Sequence, residues 1–138
     1  MVHLDAVQEI VDALFIEQAD NYCNKNLEAT LAHYAEKDLL FWNAEGDMIT
    51  DHEHLRCWYE ELFSQFEIKS VHYQIESLYA QDGLIVCGSL WVVDTFRKQG
   101  EEMVPEEQPL RATHVLRRQG NFWVIQHLHT SPSRHALN

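Results

Sequence analysis

The sequence predicts an α+β domain in which three N-terminal helices pack over one antiparallel sheet. Two observations carry the prediction. Apolar residues recur at three- and four-residue steps as far as Phe66, and from Ile68 onward the period changes to two. A third supports them: Asp82-Gly83 and Gly120-Asn121 are turn signals that join the later segments as consecutive hairpins. Helices first and strands afterwards is the element order of α+β architecture.

Val7, Ile10, Val11, Leu14, Phe15, Ala19 and Tyr22 form one apolar stripe, so the first segment is a helix, broken at Asn24-Lys25-Asn26. Leu27, Thr30, Leu31 and Tyr34 give a second, shorter helix. Leu39 to Trp42 reads as a short strand, with Met48-Ile49 as its partner beyond the turn at Ala44–Asp47. Thr50-Asp51-His52-Glu53 matches a capping box, with Thr50 accepting from the amide of Glu53. The third helix carries Leu55, Trp58, Tyr59, Leu62, Phe63 and Phe66. Four strands follow, at Ile68–Ala80, Leu84–Arg97, Glu107–Arg118 and Phe122–Ser131. Lys98–Pro109 is expected to be an acidic loop, because Pro105 and Pro109 cannot donate to a ladder. The strands Leu84–Val93 and Phe122–Leu128 are apolar on both faces, whereas a sheet with one wet face alternates. The helices cover one face, and the other is a candidate subunit interface.

Composition bounds the rest. A chain of 138 residues, 46% hydrophobic and 23% charged, suits one domain spanning 1–138. Its 22 acidic against 10 basic side chains give a net charge of −12, which repels nucleic acid and anionic lipid and excludes both as partners. No apolar run exceeds four residues, as at Leu90–Val93, which falls far short of the ~20 residues of a membrane span. No signal peptide is visible at Met1–Asp5. The three cysteines, Cys23, Cys57 and Cys87, lack metal-like spacing and are expected as free thiols in a cytoplasmic protein.

The stretch Arg111-Ala112-Thr113 and the segment Gly120–Ser131, with its Trp-x-Ile-x-His-x-His-x-Ser pattern over Trp123–Ser131, resemble the end of SnoaL-like domains of the nuclear transport factor 2-like superfamily. The resemblance is especially close to the association domain of calcium/calmodulin-dependent protein kinase II. It covers nearly the whole chain in element order and is sharpest in the last 25 or so residues. It implies a cone-like, curved antiparallel sheet with the three helices packed on its concave face, a pocket between them, and dimerisation through the convex face. Ketosteroid isomerases of this superfamily use an aspartate base and a tyrosine hydrogen-bond donor. The resemblance places Asn43 at the base position and Gln18 on or near the tyrosine, so that machinery looks absent. Pocket arginines of the kinase domain fall on Trp91, on or near Thr113, and on Thr130. Arg111, two residues from Thr113 on the same strand face, could supply a cation to the cavity instead.

His127 and His129 share a strand face and could form a metal pair, but a third ligand would have to come from His72, His114 or Asp94. Packed or interface histidines explain them as well, and neither a metal nor another cofactor is expected. Arg111 either pairs with Asp94 or Glu76 or anchors a small carboxylate. The sequence therefore favours a homodimeric small-molecule-binding domain with an apolar pocket, a cationic anchor at Arg111, and Thr113, Trp91, Asn43, Thr130 and Gln18 around it. The alternative is an isomerase, cyclase or dehydratase acting on a carbonyl metabolite, with a histidine and Asp94 or Glu76 as acid and base. A third possibility, a pure assembly module, lacks an attached catalytic domain to assemble.

Overall fold

The computed structural model describes residues 4–134 and 137. Helix α1, Leu4–Cys23, buries Val7, Val11, Leu14, Phe15 and Gln18 along the predicted stripe. It ends where Lys25 takes a left-handed conformation (φ 53°). Asn26 then caps α2, Leu27–Ala32, by accepting from the amide of Ala29 at 3.2 Å. Strands β1 (Leu40–Trp42) and β2 (Met48–Ile49) pair across a short turn. Helix α3, His52–Gln65, starts one residue later than the capping box predicts. Its N-cap is Asp51, whose carboxylate accepts from the amide of His54 at 2.7 Å. An aspartate serves here as well as a threonine, and its charge also favours the positive end of the helix.

The long strands are β3 (Phe66–Gln81), β4 (Leu84–Gln99), β5 (Glu102–Gln119) and β6 (Phe122–Pro132). With β1 and β2 they make a curved, unclosed six-stranded sheet in the order β2-β1-β6-β5-β4-β3. The α+β class and the cone-like shape are as expected. The sheet is mixed, however, because β1 runs parallel to β6, pairing Leu40 with His127 and Trp42 with His129. Asp82 (φ 50°) and Gly83 (φ 79°) both take positive φ in the β3–β4 turn, which matches the twist of the flanking strands.

The predicted loop over Lys98–Pro109 is instead a tight hairpin, with Gly100 and Glu101 between paired residues Gln99 and Glu102. The prolines fit because of where their nitrogens face. The carbonyl of Pro109 accepts from the amide of Ser133 at 3.0 Å, so both polar groups of Pro109 point away from β4. Pro105, four residues earlier, shares that orientation. Strand β6 ends at Pro132 opposite Leu110, so no neighbouring strand asks Pro105 for a donor.

Ile85, Cys87, Ser89 and Trp91 of β4 face the helices and are buried, as are Ala112, His114 and Leu116 of β5. Leu84 and Val86 face the other way and are exposed. The segment after α2 is tied to β6: Ile125 donates to the carbonyl of His33 at 2.7 Å and its own carbonyl accepts from Ala35 at 2.9 Å. That tie holds Tyr34 inside the cone.

Candidate functional site

Between α1 and the helix-covered face of the sheet the core leaves a cavity of about 70 Å³. Phe15, Gln18 and Tyr22 line it from successive turns of α1. Trp91, His114 and Thr130 line it from β4, β5 and β6, and Tyr34 from the segment after α2. Register explains the convergence. Thr130 pairs with Ala112, which is opposite Ser89, so these three share the inner face with Trp91 and His114.

Three of the predicted site residues, Gln18, Trp91 and Thr130, are brought together here. Trp91 packs edge-on to Phe15 (centroids 4.8 Å apart), and its indole N–H donates to Ser89 Oγ at 2.8 Å. Gln18 is buried, and its Oε1 accepts from Asn21 Nδ2 at 3.2 Å.

The other three lie elsewhere. Arg111 and Thr113 do share a face, but it is the outer one, where both are exposed. Even-odd alternation settles this: Ala112 and His114 between and beside them are buried against the helices. The guanidinium Nε of Arg111 donates to Ser131 Oγ at 2.7 Å, and Arg111, Thr113, Glu76, His129 and Ser131 rim a shallow outer depression. The expected cation inside the cone is therefore absent, and no Lys or Arg lines the cavity among the described residues. Asn43 is buried but occupied. Its Oδ1 accepts from the amides of Glu45 and Asp47 at 3.0 and 2.9 Å, and its Nδ2 donates to Asp47 Oδ2 at 3.3 Å. It shapes the β1–β2 turn and is not at the cavity wall.

The acid–base candidates are also outside. Asp94 accepts from Ser70 Oγ at 2.7 Å and Glu76 from Gln74 Nε2 at 2.8 Å, and neither lines the cavity. His127 and His129 project outward with Arg111, whereas His114 projects inward, so His114 cannot complete a metal site with them.

What the residues alone did not reveal is a chain of three tyrosine hydroxyls. Tyr22 Oη lies 2.7 Å from Tyr59 Oη, which is 2.5 Å from Tyr34 Oη. Burial pushes all three phenols above their ordinary value, so each keeps its proton. Tyr22 and Tyr34, at the two ends of this chain, line the cavity, whereas Tyr59 does not. The available signal was that Tyr22, Tyr34 and Tyr59 all occupy stripe positions, and a buried tyrosine needs a partner for its hydroxyl.

His114 was the second omission. It packs at a tilt against Phe15 and Trp91 (centroids 4.7 and 6.1 Å), and burial lowers its pKa to about 3, so it is neutral. Its Nδ1 has no hydrogen-bond partner, and neither does Nε2 of Gln18.

Residues 11–134 match the SnoaL-like domain family, and the chain belongs to it. No curated protein matches this sequence. Among solved structures it is similar to a ketosteroid isomerase-like protein from Erwinia carotovora atroseptica, at 15% identity and a TM-score of 0.76 over 92% of this chain and 96% of that one. It is also similar to a proposed calcium/calmodulin-dependent protein kinase II association domain from Xanthomonas campestris (17% identity, TM-score 0.70, 91% and 87% covered). A third, an NTF2-like protein of unknown function from Shewanella oneidensis, has 14% identity and a TM-score of 0.71 over 90% and 98%. At these identities the likeness speaks for the fold.

Proposed function

We propose that the protein is a homodimeric domain that binds a small, uncharged, largely apolar molecule in the cavity between α1 and the sheet. The observation that carries this reading is the cavity itself. Protein cores normally fill their interior to crystal density, and this one keeps a mostly apolar space whose wall also carries Tyr22, Tyr34, Gln18 and His114. A carboxylate ligand is disfavoured there, because a buried anion needs a cation and Arg111 is on the other face. Three free thiols support a reducing, cytoplasmic setting.

The test is to fill the space from within. Ala112 lines the cavity, and Ala112→Leu places a side chain in it. Titration with toluene, cyclopentanone and benzoate, followed by thermal shift, should stabilise wild type with the neutral molecules and not the variant. Equal responses in wild type and variant, or a preference for benzoate, would count against the cavity as the binding site.

A second reading, an enzyme of the SnoaL–ketosteroid isomerase type acting on a carbonyl metabolite, is favoured by one observation. Tyr22 and Tyr34 keep their protons and line the cavity, which is the residue type and place an enolate oxygen would call on. This reading lacks a base, since no carboxylate lines the cavity among the described residues. Turnover of a β,γ-unsaturated ketone well above the buffer rate would favour the enzyme.

A further inference from the structure

We propose that His114 is the residue by which this cavity selects its ligand, donating a hydrogen bond from Nε2 to an acceptor oxygen on an uncharged molecule. The inference rests on the cavity being the binding site and adds the group that decides which molecules it accepts.

The argument starts from the two ring nitrogens. Nδ1 is sealed from solvent and has no partner. Nε2 bonds to no described residue either, but it keeps accessible surface, and His114 lines the cavity. A neutral imidazole carries one proton, on one nitrogen or the other. Sealing an N–H away with no acceptor is the rarer and costlier arrangement, whereas a bare ring nitrogen loses only an acceptor's solvation. The proton therefore belongs on Nε2, which makes that nitrogen a donor facing the cavity.

The ring's surroundings exclude the other common histidine roles. Phe15 and Trp91 pack against it, and no carboxylate lines the cavity among the described residues to hold a cationic form. A metal would need further ligands, and no group of three His, Cys, Asp or Glu side chains converges anywhere among the described residues. A neutral donor in an apolar wall calls for a ligand that brings an oxygen lone pair and no charge. Anions would meet no countercharge, and hydrocarbons would leave the donor unpaired.

The tautomer can be read directly on wild-type protein labelled with ¹⁵N-histidine, from two-bond proton–nitrogen correlations, with the His114 signals assigned by their loss in His114→Phe. The expected result is a proton on Nε2, whose nitrogen shift moves when cyclopentanone is added. Cyclopentanone and methylcyclopentane are then titrated into both proteins. The ketone-to-hydrocarbon affinity ratio should fall about tenfold in His114→Phe, the worth of one hydrogen bond. A proton on Nδ1 in wild type overturns the proposal even where the variant does not fold. An unchanged ratio, with both molecules still binding wild type, overturns the role of His114 and leaves the cavity as the site. If neither molecule binds wild type, the cavity reading fails and this inference with it.

Discussion

Tyr59 is buried, and its hydroxyl sits between those of Tyr22 and Tyr34 and gives each a partner. Removing it alone would leave two buried hydroxyls to find new ones, at about 1–3 kcal/mol for an unsatisfied group. His114 has the opposite character, since burial there is uncompensated and shows in the pH dependence of stability. The unfolded imidazole takes up its proton near its ordinary value of 6.5, but the folded one only near about 3. Between those values the unfolded state binds the extra proton, so stability is full above 6.5 and falls as the pH falls toward 3. The slope is up to about 1.4 kcal/mol per pH unit. His33 and His127, also lowered chiefly by burial, act in the same direction. Urea midpoints measured from pH 7 to pH 4 should drop more steeply for wild type than for His114→Phe. Parallel curves would show that His114 is solvated.

At the scale of elements, α3 depends on its first turn and β5 on its register. Asp51 accepts from His54, and Thr50 makes no cap contact in this structure. Asp51→Ala should therefore cost about 1 kcal/mol in chemical unfolding, whereas Thr50→Ala should be close to neutral. The reverse order would restore Thr50 as the cap. Strand β5 matters more for the site, because its alternation sends Ala112 and His114 inward and Arg111 and Thr113 outward. A register slip of one residue would exchange the two sets, placing a guanidinium in an apolar cavity. The pairing of β5 with β4 on one side and β6 on the other excludes that exchange.

For the whole molecule, the outer face of the sheet is the feature in need of a partner. Leu84 and Val86 are 42% and 37% exposed, and Tyr79, paired with Val86 across the ladder, is 61% exposed. Trp42 at 47% stands beside His129 toward the far edge of the same sheet. Apolar side chains gathered on one sheet face are a liability for a monomer and an asset for a dimer. Light scattering at micromolar concentration should give twice the 16.2 kDa chain mass, and Val86→Glu should return a monomer. A monodisperse species of one chain mass in wild type would remove the interface argument.

The sequence by itself determined the class of fold, because helix and strand periods depend on which residues recur at which spacing. The stripe from Val7 to Tyr22 and the turns at Asp82-Gly83 and Gly120-Asn121 needed no tertiary context. It also picked out Gln18, Trp91 and Thr130, through a family resemblance that preserves position along each element. Local spacing said that Arg111 and Thr113 share a face but could not say which face, since both neighbours of each strand had to be placed first. The prolines misled for the same reason: whether a missing N–H matters depends on whether a strand lies on that side. The tyrosine chain joins residues 37 and 25 positions apart, and no local pattern encodes such a contact. Only packing three elements around one cavity decided which polar atoms found partners and which, Nδ1 of His114 and Nε2 of Gln18, did not.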